Sequence, residues 1–335
     1  MHYELCIMNY ALCIKKYLKE HGFEALRPKA VLFDMDGVLY DSMPNHAVAW
    51  QESMRMFGIA MTRDDAYATE GQRGIDTIRQ MVLQQQGRTI SETEAQMMYD
   101  RKSFLFHLMP EAPIMPGAQE LMEKIRHDGL SIGVVTGSGQ RPLIARLLRD
   151  FGTWVDESHI VTAYDVSQGK PHPDPYLKGL EMAGGLQPWE AIVVENAPLG
   201  VQASVAARIF TVCINTGHLP KSVFYRQGTN LLLDGMPTLS SSWKAILNEK
   251  LVISREERWD HHYEELMAYM KDNHQRPSKY AKSDFQLVNW IKYNRKLINR
   301  GELPAERLEK FKLFEAEAER LKRINQYAYK HKSEE

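Results

Sequence analysis

Six short apolar runs, each separated from the next by helical patterning, constrain the fold of this chain most. They lie at 30–33, 131–135, 160–163, 191–194, 210–214 and 231–233. The runs are nearly continuous rather than alternating, as suits strands buried on both faces of a parallel sheet. The segments between them, among them 118–127, 142–149, 175–182 and 199–207, carry apolar residues at helical spacing. Strand, crossover helix, strand predicts an α/β fold with a doubly wound parallel sheet; a mixed α+β fold is the alternative.

One interval breaks the rhythm. Residues 41–130 are helical throughout and contain no strand pattern, which is too much chain for one crossover. Pro44 opens a helix, Gly58 closes it, and Pro110, Pro113, Pro116 and Gly117 mark the return to the sheet. A helical subdomain at about 43–113 is therefore expected, inserted after the first strand. After 240–242 the character changes again. Residues 251–335 are rich in Lys, Arg, Glu, Tyr and Trp, with 18 Lys and Arg against 15 Asp and Glu, and predict a separate helical module. Three regions follow: a helical leader at 1–28, an α/β core at 29–250, and the module at 251–335.

Length agrees with more than one domain, since single cores stop growing at roughly 250 residues. A formal net charge of −1 over 335 residues gives no chain-wide electrostatic case for nucleic acid or membrane partners. No apolar run reaches the roughly 18 residues a span requires. The apolar stretch 8–14 has Glu4 before it and Lys15, Lys16 and Lys19 after it, the reverse of a secretory signal. Three scattered cysteines, Cys6, Cys13 and Cys213, suggest a reducing compartment, so a cytoplasmic protein is expected.

The chemistry gathers at the ends of the apolar runs, where open α/β sheets bind ligands. The first run leads into Asp34-Met35-Asp36-Gly37. Alone, this is also an ordinary turn or a calcium loop, but the twelfth position of such a loop, counted from Asp34, is Asn45 rather than Glu. The second run leads into Thr136-Gly137-Ser138-Gly139, whose hydroxyls and backbone amides can hold phosphate oxygens; alone it is also a plain turn. Lys170, on the proline-stiffened Gly169-Lys170-Pro171, offers a fixed cation or is a surface lysine. The fourth run ends in Glu195-Asn196, which with Asp34 could complete an oxygen shell for Mg2+.

Taken in order and spacing, these four motifs resemble the haloacid dehalogenase-like superfamily, in the phosphatase and β-phosphoglucomutase branch that carries a helical cap after its first motif. The resemblance covers about 29–245 and implies a Rossmann-like core. It implies Asp34 as nucleophile, forming an aspartyl-phosphate, and Asp36 as general acid and base. Thr136 and Lys170 would bind the transferring phosphoryl, with Gly137 and Ser138 beside them. Mg2+ would be held by the Asp34 carboxylate, the Asp36 carbonyl and the Glu195/Asn196 pair. Asp41, Ser42, His46 and Trp50 also fit the branch, with His46 at the cap hinge. One departure stands out: the branch commonly has Glu-Asp where this chain has Glu195-Asn196, so weaker Mg2+ binding is expected.

In the cap, 69–77 places glycines on either side of Arg73 and suggests a loop bringing Arg73, with Thr77 nearby, over a substrate; a helix junction with a surface arginine is the alternative. A comparable loop in β-phosphoglucomutases carries a sugar-reading arginine, but alignment on Gly71 sets Gly74 opposite it. A phosphatase of small sugar or polyol phosphates is therefore expected, with a hexose-phosphate mutase as the alternative.

The C-terminal module has Trp259, Tyr263, Leu266 and Tyr269 at helical spacing. Arg276-Pro277 makes a turn, 287–295 a second helix, and Gly301-Glu302-Leu303 leads to a third with Arg307, Leu308 and Phe311. It resembles the helicase-associated domain, although a glycine expected near Asn273 or His274 is absent. That resemblance raises nucleic acid as a partner for Lys292, Arg295, Lys296 and Arg300, a binding role being the second alternative to phosphatase. Glu302, Glu306 and Glu309 close by favour a plain solvated face instead.

Overall fold

A computed structural model describes residues 2–248 and 254–332. The expected boundary between 250 and 251 lies outside the described residues. Two compact units are present, one formed by 1–17 and 25–252, the other by 18–24 and 253–335.

The first unit is built on six parallel strands: β1 (Ala30–Phe33), β2 (Ser131–Val135), β3 (Ile160–Val161), β4 (Ala191–Glu195), β5 (Phe210–Ile214) and β6 (Leu231–Leu233). Their order is β3-β2-β1-β4-β5-β6. β1 is central, with Ala30 in register between Ser131 and Ala191. The chain runs outward from β1 to β3, then returns to β4 on the other side of β1. That reversal opens a crevice at the carboxyl end of β1, which is where Asp34 lies. β3 is shorter than its apolar run because the Thr162 amide and hydroxyl donate to Asp165 Oδ2, at 2.7 and 2.6 Å, and turn the chain off the sheet.

Helix α1 (His2–His21) reaches β5 through Tyr17, whose ring meets Phe210 edge-on at 5.3 Å and whose hydroxyl donates to Arg208 O at 2.9 Å. The chain between β1 and β2 forms α2 (Met43–Met56), α3 (Arg63–Ala68), α4 (Gly74–Gln86) and α5 (Glu92–His107), then α6 (Ala118–His127). Pro44 sits in the first turn of α2, and Gly58 adopts the left-handed φ of +70° that stops it. Helices α2 to α5 bury a core of their own, including Trp50, Met54, Ile78, Val82 and Met98. The sheet is flanked by α7 (Arg141–Phe151), α8 (Asp174–Met182), α9 (Pro198–Ala206), α10 (Lys221–Arg226) and α11 (Met236–Leu247).

The second unit contains α12 (Arg255–Asn273), α13 (Phe285–Asn299) and α14 (Ala305–Lys332), packed around Leu266, Met270, Leu287, Ile291, Phe311 and Phe314. Ser254 and Glu257 form a reciprocal cap at the start of α12. The helix ends at His274, which takes the left-handed φ of +51° usually left to glycine. Trp259 is built into this core: it stacks on Tyr263 and donates its indole N–H to the buried Asn294 Oδ1 at 2.6 Å. Arg295 pairs with Glu315 and Arg300 with Glu302. Two of the four basic side chains considered for phosphate contacts are thus engaged by acids, and a nucleic-acid role gains no support. No helix among the described residues is long and apolar enough to cross a membrane.

Candidate active site

The ends of β1 and β2, one cap loop and helices α2 and α5 line a cavity of about 60 Å3, with Asp34, Asp36, His46, Glu70, Lys102 and Thr136 among the lining residues; Lys170, Glu195 and Asn196 are not among them. By the same measure one water needs roughly 10–15 Å3, so the space takes a phosphoryl group, and it opens toward solvent.

β1 delivers Asp34 into this space, its amide bonded to Val194 O at 3.0 Å. The next residues turn back sharply. Gly37 takes a φ of +77°, and a Cβ there would stand 2.0 Å from Asn196 Nδ2, so only glycine fits. The turn separates the two aspartates into different environments.

Asp34 is 3% exposed, and its Oδ1 accepts from Lys170 Nζ at 2.5 Å. Lys170 is itself buried and spends its other donors on Glu195 Oε1 (2.7 Å) and Val135 O (3.0 Å). Burial opposes its charge, but Asp34 and Glu195 outweigh this and keep Lys170 protonated beyond the ordinary lysine range. Burial pushes the Asp34 carboxyl up; Lys170 opposes the rise, Glu195 and Asp36 add to it, and it ends at about 8.

Asp36 is set the other way. Its Oδ1 accepts from Ser42 Oγ at 2.6 Å and lies 3.1 Å from His46 Nε2. Burial would raise it, yet His46, Ser42 and Lys102 together hold it at about 2. Lys102 Nζ is 2.7 Å from His46 Nδ1. An ammonium can only donate, so Nδ1 accepts and the Nε2 proton faces Asp36. The Lys102 ammonium also lies 5.1 Å from the Trp50 ring and 5.0 Å from Phe106. Burial lowers it to about 8, with Asp36 opposing.

Thr136, Gly137 and Ser138 line the cavity, and the Thr136 hydroxyl accepts from the Ser138 amide at 3.0 Å. Gly137 must be a glycine here, because a Cβ would fall 2.7 Å from Gly71 O on the cap loop. Arg73 is directed elsewhere: its Nε pairs with Asp76 Oδ2 at 2.7 Å and one terminal nitrogen reaches Ser167 O at 3.2 Å. Thr77 is buried with its hydroxyl 3.4 Å from Gln72 Oε1. Neither Arg73 nor Thr77 lines the cavity.

The Glu195 carboxylate is fully committed to protein donors. Oε1 takes Lys170 and the Tyr176 hydroxyl (2.6 Å), while Oε2 takes the amides of Asn196 and Ala197 at 2.9 and 3.1 Å. Asn196 differs. Its Oδ1 is buried without a partner, and its Nδ2 donates to both oxygens of Glu70, at 3.1 and 3.2 Å. Among the described residues no three His, Cys, Asp or Glu side chains are grouped as a metal site. The donors that remain, Asp34, the orphaned Asn196 Oδ1 and the Asp36 carbonyl, are all oxygens, as a hard cation such as Mg2+ requires. The residues therefore fit Mg2+; the Glu195 oxygens, expected as ligands, accept from Lys170, Tyr176 and two backbone amides here.

Lys102, Glu70 and Tyr176 carry no motif of their own. Lys102 had one legible sign: with Ala95, Met98 and Tyr99 it falls on the buried stripe of α5, an odd place for a lysine unless something polar meets it.

With this geometry in view, similarity to known proteins is specific. The profile of the haloacid dehalogenase-like hydrolases matches residues 31–214, more than half the chain. The profile of the helicase associated domain matches 256–315. Hexitol phosphatase A of Escherichia coli is 33% identical over 191 residues, 57% of this chain and 84% of the relative. The β-phosphoglucomutase of Bacillus subtilis is 27% identical, covering 62% of this chain and 92% of its own. A solved Bacteroides vulgatus structure, provisionally assigned as a β-phosphoglucomutase, is 44% identical with a TM-score of 0.70, covering 72% of this chain and 98% of that one. The chain belongs to the haloacid dehalogenase-like hydrolases, in the company of their phosphatases and phosphoglucomutases, and is a phosphoryl-transfer enzyme.

Proposed function

We propose that the protein is a Mg2+-dependent phosphatase of a small phosphorylated metabolite, a sugar or polyol phosphate, working through an aspartyl-phosphate on Asp34. The observation that carries this reading is the opposite setting of two aspartates two residues apart. Asp34 is held against Lys170 at the cavity, and Asp36 is tied to Ser42 and His46.

Asp34 attacks phosphorus, and Lys170 with Thr136 offsets the charge on the phosphoryl oxygens. Bound Mg2+ supplies positive charge that favours the ionised form of Asp34 and polarises the phosphoryl group. Asp36 rests ionised, so a proton must reach it before the leaving oxygen departs. The chain Lys102–His46–Asp36 provides that route, and Lys102 is lowered far enough to give up a proton near neutrality. Asp36 then takes a proton from the water that opens the acyl-phosphate.

The turning away of Arg73 favours phosphate release to water over retention of a hexose for return transfer. One finding favours the mutase reading instead, the 44% identity to a protein provisionally assigned to that activity. Phosphate release should be followed with Mg2+ on sugar, polyol and nucleotide monophosphates, down to pyrophosphate. Release without any bisphosphate activator supports a phosphatase; isomer interconversion that needs one supports the mutase. Asp36→Asn is expected to slow the first step, departure of the leaving group measured before the acyl-phosphate turns over, by about 10^2–10^4-fold for alkyl phosphates and far less for nitrophenyl phosphate, whose leaving group needs no proton. Equal losses on both would exclude Asp36 as the acid.

A further inference from the structure

We infer that Glu70, on the cap loop, supplies to the metal site the carboxylate that Asn196 lacks, so that Mg2+ is held jointly by core and cap. This rests on the reading of the site as a Mg2+-dependent phosphoryl-transfer centre.

Four observations meet at one place. Glu70 is only 8% exposed, and its bonds among the described residues go to a single neutral group, the Asn196 amide, at 3.1 and 3.2 Å. The charges that act on it most are acidic, Asp34, Glu195 and Asp36, of which Lys170 bridges only the first two. A buried carboxylate set among carboxylates is costly unless a cation joins them. Beside it, Asn196 is 6% exposed and its Oδ1 has no partner, an acceptor waiting for a cation or a donor. The two side chains also close on the first motif, since a Cβ on Gly37 would stand 2.0 Å from Asn196 Nδ2 and 3.1 Å from Glu70 Oε1. Lastly, Glu195 cannot make good the missing charge, because both of its oxygens are already taken by protein donors.

The cap loop is built to come this close. Gly71 takes a φ of +82°, and a Cβ there would meet Lys170 Cδ at 3.2 Å. Its carbonyl rests where a side chain on Gly137 would be. These glycines let the backbone after Glu70 lie directly on the phosphate turn and on Lys170. A cation shared by Glu70 and the core oxygens favours this seated position of the loop, and by linkage the seated loop favours the cation.

The test is calorimetric titration of MgCl2 into the full chain, for the wild type, Glu70→Gln, and Glu70→Gln combined with Asn196→Asp, with melting temperatures recorded with and without Mg2+. We expect Glu70→Gln to weaken Mg2+ binding by about tenfold or more and to abolish most of the Mg2+-induced rise in melting temperature. Its metal-free melting temperature should be unchanged or higher, since a buried carboxyl set beside Asp34, Asp36 and Glu195 has gone. Asn196→Asp in that background should restore binding. A Glu70→Gln protein that binds Mg2+ within twofold of wild type, or one that melts lower without metal and is not rescued by Asn196→Asp, overturns the inference and leaves Glu70 a structural tie. If the wild type binds no Mg2+ at all, the underlying reading of a Mg2+-dependent site falls as well, which separates the two failures.

Discussion

Asp34→Asn is expected to abolish phosphate release, by about 10^3-fold or more, while leaving the fold intact. The amide has the size of the carboxylate, and its Oδ1 can still accept from Lys170, so the hydrogen bond at 2.5 Å has a successor. What disappears is the only feature a nucleophile needs, an ionisable oxygen aimed at the cavity. Burial makes that oxygen costly to charge, which is the reason Lys170 stands beside it. Because Asp34→Asn replaces a carboxyl that burial already makes costly to ionise, its melting temperature without metal should match or exceed that of the wild type. Residual turnover above about a tenth of wild type would mean that another group attacks phosphorus.

The largest loss of stability is expected from Lys170→Met. Lys170 is 2% exposed and bridges Asp34 and Glu195, at 2.5 and 2.7 Å. Taking one partner from a buried ion network leaves charges that nothing neutralises, at a cost of about 3–5 kcal/mol, a large part of the 5–15 kcal/mol that holds a typical domain together. Methionine fills the lysine's volume, so the loss should come from charge rather than from a void. The pH dependence gives the sign. Asp34 already has a folded-state value raised to about 8 against an ordinary 3.8, and removal of Lys170, which lowers it, raises it further. An acid raised on folding contributes stability while protonated and loses it as pH climbs from its unfolded value through its folded one. The deficit of Lys170→Met, measured by urea unfolding without metal, should therefore stay level between about pH 4 and pH 7 and grow as the pH rises through about 8, where wild-type Asp34 ionises against Lys170 and the variant's does not. A deficit independent of pH would mean that packing, not charge, is what Lys170 provides.

The parts of the molecule legible in the sequence are those that depend on local pattern. The strands announce themselves as continuous apolar runs because both faces of the sheet are covered. The inserted helices announce themselves because Asp41 to Leu130 contains no such run. Asp34, Thr136, Lys170 and Glu195 come from four separate segments, yet each closes a recognisable apolar run or proline-stiffened loop; Asp34 and Thr136 line one cavity, and Lys170 ties Asp34 to Glu195. Contacts between distant segments leave no such trace. Asn196 and Glu70 are 126 residues apart, and Lys102 and His46 are 56 apart. Nothing in either local sequence tells a polar side chain that it will meet the other. Arg73 shows the reverse hazard. The flanking glycines suggest a mobile arm, but Asp76 lies three residues on, the spacing that lets a carboxylate take the guanidinium on one helix face. The strand after the second crossover ends two residues early for a similar reason, since Asp165 captures Thr162 before the ladder can continue.

The central claim is that phosphate passes through a covalent bond to Asp34. Its most direct test is an acid quench during turnover, on wild type and Asp36→Asn, followed by mass spectrometry of the peptide that contains 34–36. One added phosphoryl group is expected on Asp34, acid-stable and hydroxylamine-labile, and accumulating further in Asp36→Asn when nitrophenyl phosphate is the substrate. Steady turnover with no phosphoryl group on Asp34, or with one on a hydroxyl such as Ser138, would contradict it.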